Sequence, residues 1–92
     1  MTKFISVHIT SCMTRQALTN IIKGFGKNST DKVRHIHTWS DTLSGRMVCE
    51  WEATDKETLT NWLGEQMIFF RGEHEWVIPV ELESANGEFT NN

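Results

Sequence analysis

The sequence predicts an α+β domain in which four strands and two helices follow the order β-α-β-β-α-β, the strands forming one antiparallel sheet. Three observations carry this. Stretches near the start, middle and end of the chain alternate with a period of two, two stretches between them repeat apolar residues at helical spacing, and polar or glycine-bearing segments separate them. With 92 residues there is room for one domain, read as residues 1–83 followed by a flexible tail at 84–92. A chain of this size buries only about 60–65 % of its unfolded surface, so burial against a partner would add to a modest core.

The first strand covers residues 3–10, where Phe4, Ser6 and His8 alternate with Ile5, Val7 and Ile9. Its aliphatic side is expected to face the core. Residues 11–14 offer polar caps for a helix with Ala17, Leu18, Ile21, Ile22 and Phe25 on one stripe, and Gly24 and Gly26 place its end near Phe25.

Residues 33–53, VRHIHTWSDTLSGRMVCEWEA, read as a β-hairpin, because two runs rich in β-branched and aromatic residues flank a polar segment containing Gly45. Strict alternation sets His35, His37 and Trp39 on one face and Arg34, Ile36 and Thr38 on the other. In the second arm Met47, Cys49, Trp51 and Ala53 form the apolar face, opposite Val48, Glu50 and Glu52. An even-length loop sets His37 opposite Glu50 and His35 opposite Glu52; a one-residue change of register breaks that match.

Thr54 followed three residues later by Glu57 matches a capping box, and Leu59, Trp62, Leu63 and Met67 supply the buried stripe of the second helix. The apolar run at 67–70 divides between helix end and loop. Trp76, Ile78, Val80 and Leu82 alternate with Val77, Pro79 and Glu81 in a last strand, which Pro79 assigns to a sheet edge because it has no N–H to donate. This succession is the ferredoxin-like or split βαβ pattern, with sheet order 4-1-3-2 and both helices on one face.

The helices are expected to cover Ile5, Val7, Ile9, Ile36, Cys49, Trp51, Ala53, Trp76, Ile78 and Val80. By elimination the open face holds His8, His35, His37, Trp39, Glu50 and Glu52, with Phe4, Ser6, Val48, Val77, Pro79 and Glu81. These first six residues are the expected ligand-binding set. A surface mixing aromatic and charged groups in this way meets a partner, and the expected partner is a second copy packed sheet to sheet around a small cavity.

Composition narrows the partners. A formal charge of −3 without any basic run argues against nucleic acid, and no stretch is apolar enough for a signal peptide or membrane span, so a cytoplasmic protein is expected. Cys12 and Cys49 lack a CxxC spacing and read as reduced thiols. KGFG at 23–26 imitates the start of an RNA-binding signature. It falls at the end of a helix rather than on the third strand, where Glu50 and Glu52 would repel RNA.

The element pattern over residues 3–83 resembles the dimeric α/β-barrel superfamily, which includes cofactor-independent monooxygenases and dechlorinating and haem-degrading members. The stretch CEWEATDKETLTNWL at 49–63 is similar to the strand–helix signature of small domains that include a nickel-binding protein. The resemblance implies the fold and a homodimer.

Three functions follow as expectations. The domain binds a small ligand or a divalent metal on its open face, with His35 and His37 as candidate ligands for nickel or zinc, supplemented by His8 and Glu50. Alternatively it is a cofactor-independent enzyme, monooxygenase- or isomerase-like, in which His37 acts as a base beside Glu50. The third reading is a protein-interaction module.

Overall fold

The computed structural model describes residues 1–67 and 76–90. Its elements are β1 (Thr2–Ile9), α1 (Arg15–Lys27), β2 (Val33–Asp41), β3 (Arg46–Ala53), α2 (Lys56–Gln66), β4 (Trp76–Pro79), β5 (Ser84–Ala85) and β6 (Glu88–Phe89). Four strands make an antiparallel sheet in the order β2-β3-β1-β4, so β4 with Pro79 lies at an edge. Residues 68–70 of the apolar run lie outside the described residues.

Thr14 caps α1 by accepting from the Ala17 amide at 3.1 Å. The helix passes through Gly24 and Gly26 and stops at Lys27, two residues beyond the expected end, where the Asn28 amide donates back to the Gly24 carbonyl at 2.8 Å. The cap of α2 is Asp55 and not Thr54: the Asp55 carboxylate accepts from the Thr58 amide at 2.7 Å, while the Thr54 amide is committed to the Lys32 carbonyl.

The core forms between the helices and one sheet face. Leu18 and Phe25 from α1 and Leu59, Trp62 and Leu63 from α2 pack with Phe4, Val33, Met47, Cys49, Trp51 and Ala53. Trp51 is its centre. Its ring lies 5.1 Å from Phe25 and 5.2 Å from Trp62, both at steep angles that set ring edges against ring faces.

The sheet register corrects the expected orientation of β1. Phe4 pairs with Trp51, Ser6 with Cys49 and His8 with Met47, and residues paired across a ladder point to the same side. Phe4, Ser6 and His8 therefore face the helices, and Ile5, Val7 and Ile9 face away. Hydrophobicity favoured the reverse, but Trp51 determines the outcome. Its buried indole N–H needs an acceptor, which Ser6 Oγ supplies at 2.7 Å, and the same oxygen lies 2.7 Å from His8 Nε2. Polar residues thus enter the core as a bonded group.

The orientation of β4 is corrected in the same way. Val77 pairs with Ser6 and Pro79 with Phe4, so these two face the helices, while Trp76 and Ile78 point outward at 65 % and 50 % exposure.

Within the segment expected as a tail, the described residues form the β5–β6 hairpin, turned by Asn86 (φ 54°) and Gly87 (φ 81°). Asn-Gly with both φ positive is the signature of a tight hairpin turn. None of the helices among the described residues is long and apolar enough to cross a membrane.

Candidate functional site

The helix-free face can be read as rows across the sheet. One row is wholly apolar: Trp39, Val48, Val7 and Trp76, contributed in turn by β2, β3, β1 and β4. The next is His37, Glu50, Ile5 and Ile78. The third is Arg34, Glu52 and Lys3, and on the far side of the apolar row lie Asp41, Arg46 and Ile9. An apolar centre is thus bordered on both sides by rows that carry charge of both signs.

His37 and Glu50 are set opposite each other by the even-length loop between Asp41 and Arg46. Asp41 shapes that loop by accepting from the Leu43 and Ser44 amides. His37 Nδ1 lies 3.3 Å from Glu50 Oε1, and the His37 ring stacks on Trp39 with centroids 5.4 Å apart. Glu50 Oε2 is 3.1 Å from Lys3 Nζ, which also donates to Glu83 at 2.9 Å. Burial raises the Glu50 pKa, but hydrogen bonds from Lys3 and His37 outweigh it and hold the carboxyl below its ordinary range. Lys3 is pushed up by its hydrogen bonds to Glu83 and Glu50. A cleft of about 330 Å³ borders this group, lined by Lys3, Ile5, Glu50, Val80, Leu82, Glu83 and Ser84.

The other two expected histidines are elsewhere. A β-bulge between His35 and His37 leaves Ile36 without a partner, and His35 pairs with Trp51 instead of Glu52. The extra residue turns His35 toward the helices, where it lies 5.1 Å from the Trp51 ring, 5.5 Å from that of Phe25, and bonds Thr38 at 2.6 Å. His8 is completely buried. Of the expected ligand-binding residues, His37, Trp39, Glu50 and Glu52 share the open face; His8 and His35 belong to the core. The bulge also carries Arg34 onto the open face, where it meets Glu52 at 3.7 Å.

This placement separates the expected metal ligands. His35 and His37 project to opposite sides of the sheet and cannot close on one ion, and among the described residues no group of three or more His, Cys, Asp or Glu side chains is arranged to hold a metal. The open face suits a different chemistry: an imidazole oriented by a carboxylate, an ammonium bridging two carboxylates, and apolar neighbours.

Neither thiol adds to it. Cys49 is buried, and burial pushes its pKa up to about 11 despite hydrogen bonds from Thr38 and Ser6. Cys12 is exposed in a turn with φ 70°.

Lys3 is the residue that sequence reasoning missed. It shares a side of β1 with Ile5 and Val7, so assigning that side to the core concealed its position beside Glu50. The signal was present: a lysine in phase with the aliphatic stripe argues against burial of that stripe.

In comparisons with known proteins, no family model, no curated protein and no solved structure matches the chain.

Proposed function

We propose that the chain is a ferredoxin-like domain that pairs with a second copy through its helix-free sheet face, and that the paired sheets enclose a small-ligand site beside His37, Glu50 and Lys3. The succession β-α-β-β-α-β and the order β2-β3-β1-β4 support the fold. The observation that carries the pairing is the row Trp39–Val48–Val7–Trp76, in which Trp39 and Trp76 stand 55 % and 65 % exposed. An apolar centre with tryptophans and a charged rim is the anatomy of a protein interface. A second copy suits it because the bordering rows carry both signs, with Lys3, Arg34 and Arg46 beside Glu50, Glu52 and Asp41, so the face is complementary in charge to itself.

The ligand in this reading is a small organic molecule with a polar end for His37, Glu50 and Lys3 and an apolar body against Ile5 and Ile78. A bound metal is not required. The His37–Glu50 contact favours a second reading of the same site, as a proton-transfer centre. A carboxylate holding Nδ1 fixes the imidazole tautomer and leaves Nε2 to act as a base.

Val48→Glu places a charge at the centre of the apolar row and tests the pairing. The variant is expected to keep its far-ultraviolet circular dichroism and to elute as a monomer in size exclusion with light scattering, against a wild-type dimer. A wild type that elutes as a monomer, or a folded Val48→Glu that remains a dimer, overturns the proposal.

A further inference from the structure

A second cleft lies at the β2 edge of the sheet, between α1 and the end of the β2–β3 hairpin. It has a volume of about 310 Å³ and is lined by Arg15, Leu18, Thr19, Ile22, Ser40, Asp41 and Thr42. That is the lower end of the range for small-molecule sites, too small for a nucleotide or flavin. Its chemistry is divided. Arg15 on the helix and Asp41 on the hairpin carry opposite charges, yet no ion pair joins them, and among the described residues the Arg15 guanidinium has no side-chain partner.

Asp41 is held in place. Its two carboxylate oxygens each accept one amide, from Leu43 at 3.4 Å and Ser44 at 3.1 Å, and each keeps a lone pair for a further donor. The Ser44 bonds and then that of Leu43 hold its carboxyl below the usual range, so it is ionised at neutral pH. Thr19 is fixed by donating to the Arg15 carbonyl at 2.8 Å, which leaves its oxygen able to accept. Leu18 and Ile22 supply an apolar floor between the polar walls.

We propose that this cleft binds a free α-amino acid with a short aliphatic side chain. Arg15 takes the carboxylate through its paired N–H groups, Asp41 takes the ammonium, and the side chain rests on Leu18 and Ile22. A zwitterion satisfies both charges at once; a simple carboxylate leaves Asp41 facing an anion, and a simple amine leaves Arg15 facing a cation. The cleft shares Asp41 with a charged row that borders the sheet-face pairing, but none of its residues lies in the apolar row, so ligand binding here and the oligomeric state are read by separate experiments.

The test is a ¹⁵N–¹H correlation titration of the full chain with L-leucine, and with isovalerate and isoamylamine, which each lack one of its charges. The expected result is saturable shifts of the amides at 15–22 and 40–45 with leucine below about 10 mM, and binding at least about tenfold weaker for either analogue and for Arg15→Gln or Asp41→Asn. Arg15→Gln removes no ion pair or side-chain hydrogen bond among the described residues. Asp41→Asn keeps one oxygen for the turn amides. Absence of saturable shifts with leucine overturns the proposal, as does leucine binding that survives both substitutions or isovalerate binding equal to that of leucine.

Discussion

His37 lies across the sheet from Glu50 with Nδ1 3.3 Å from Oε1, while His35, two residues earlier, has turned to the opposite face and meets Trp51 edge to face. The unpaired Ile36 between them reverses the side on which the earlier histidine emerges. An HxH pair that alternation would place on one face is therefore split. The expected consequence is that calorimetric titrations of Ni²⁺ into wild type and His35→Ala coincide, with no chelate of micromolar affinity in either. A loss of affinity of about tenfold or more in His35→Ala would show that both imidazoles reach one ion.

Ser6 joins two buried polar rings. Ser6→Ala removes the acceptor for the Trp51 N–H and the partner of His8 Nε2 and leaves both in the core. A buried donor left unsatisfied costs about 1–3 kcal/mol, and that loss is expected in urea unfolding at neutral pH. Thr10 gives the opposite sign. Its hydroxyl is buried with no partner among the described residues, so Thr10→Val is expected to be neutral or to stabilise by up to about 1 kcal/mol.

Burial lowers the His8 pKa from 6.5 to about 4, and it lowers that of His35 as well. Because the folded values lie below the unfolded one, the unfolded chain binds more protons in this window, and stability rises with pH. The contribution of His8 is complete above pH 6.5 and is lost as the pH falls toward about 4, an effect on the order of 3 kcal/mol. Glu50, Asp41 and Asp55 have lowered pKa values, so their contributions are present at higher pH and are lost as the pH falls through the carboxylate range, which overlaps only the lower end of the His8 window. Urea midpoints measured between about pH 7 and pH 5.5, above the carboxylate range, isolate the histidines and should fall steadily; a flat profile would contradict the burial of His8.

Gly45 closes the β2–β3 turn with φ +68°, and its carbonyl accepts from the Thr10 amide at 2.8 Å. A Cβ there would stand 2.8 Å from Ser11 Oγ and 3.2 Å from Ser11 Cα. The hydroxyl can rotate away, but the backbone cannot. Gly45→Ala is expected to cost about 1–3 kcal/mol, from the left-handed conformation and the close approach together. Gly64 lies within α2 with nothing within 4 Å of an added Cβ, so Gly64→Ala should stabilise by about 0.5–1 kcal/mol in the same thermal or urea assay.

The order of the six main elements was legible from periodicity, and so was the pairing of His37 with Glu50, which needs only the loop length between Asp41 and Arg46. The faces of β1 were not. Per-residue hydrophobicity ranks Ile5, Val7 and Ile9 above Phe4, Ser6 and His8, but a buried tryptophan N–H needs an acceptor that an aliphatic strand cannot provide. The bulge at Ile36 left no mark, because no glycine accompanies it. The hairpin at 84–89 did leave one in Asn86-Gly87, a turn signal obscured by the polar composition around it. The open-face site was therefore half legible: His37, Trp39, Glu50 and Glu52 were named, Lys3 was missed, and His8 and His35 were placed on the wrong side.

With Ile5, Val7 and Ile9 directed away from the helices, the sheet presents more aliphatic surface outward than solvent exposure favours, and the proposed pairing follows from that excess. Sedimentation velocity over a dilution series from about 100 to 1 μM tests it most directly. Paired sheets give a single species of twice the 10.6 kDa chain mass at the upper concentrations, dissociating only on dilution. A sedimentation coefficient fixed at the monomer value across the whole series would contradict it.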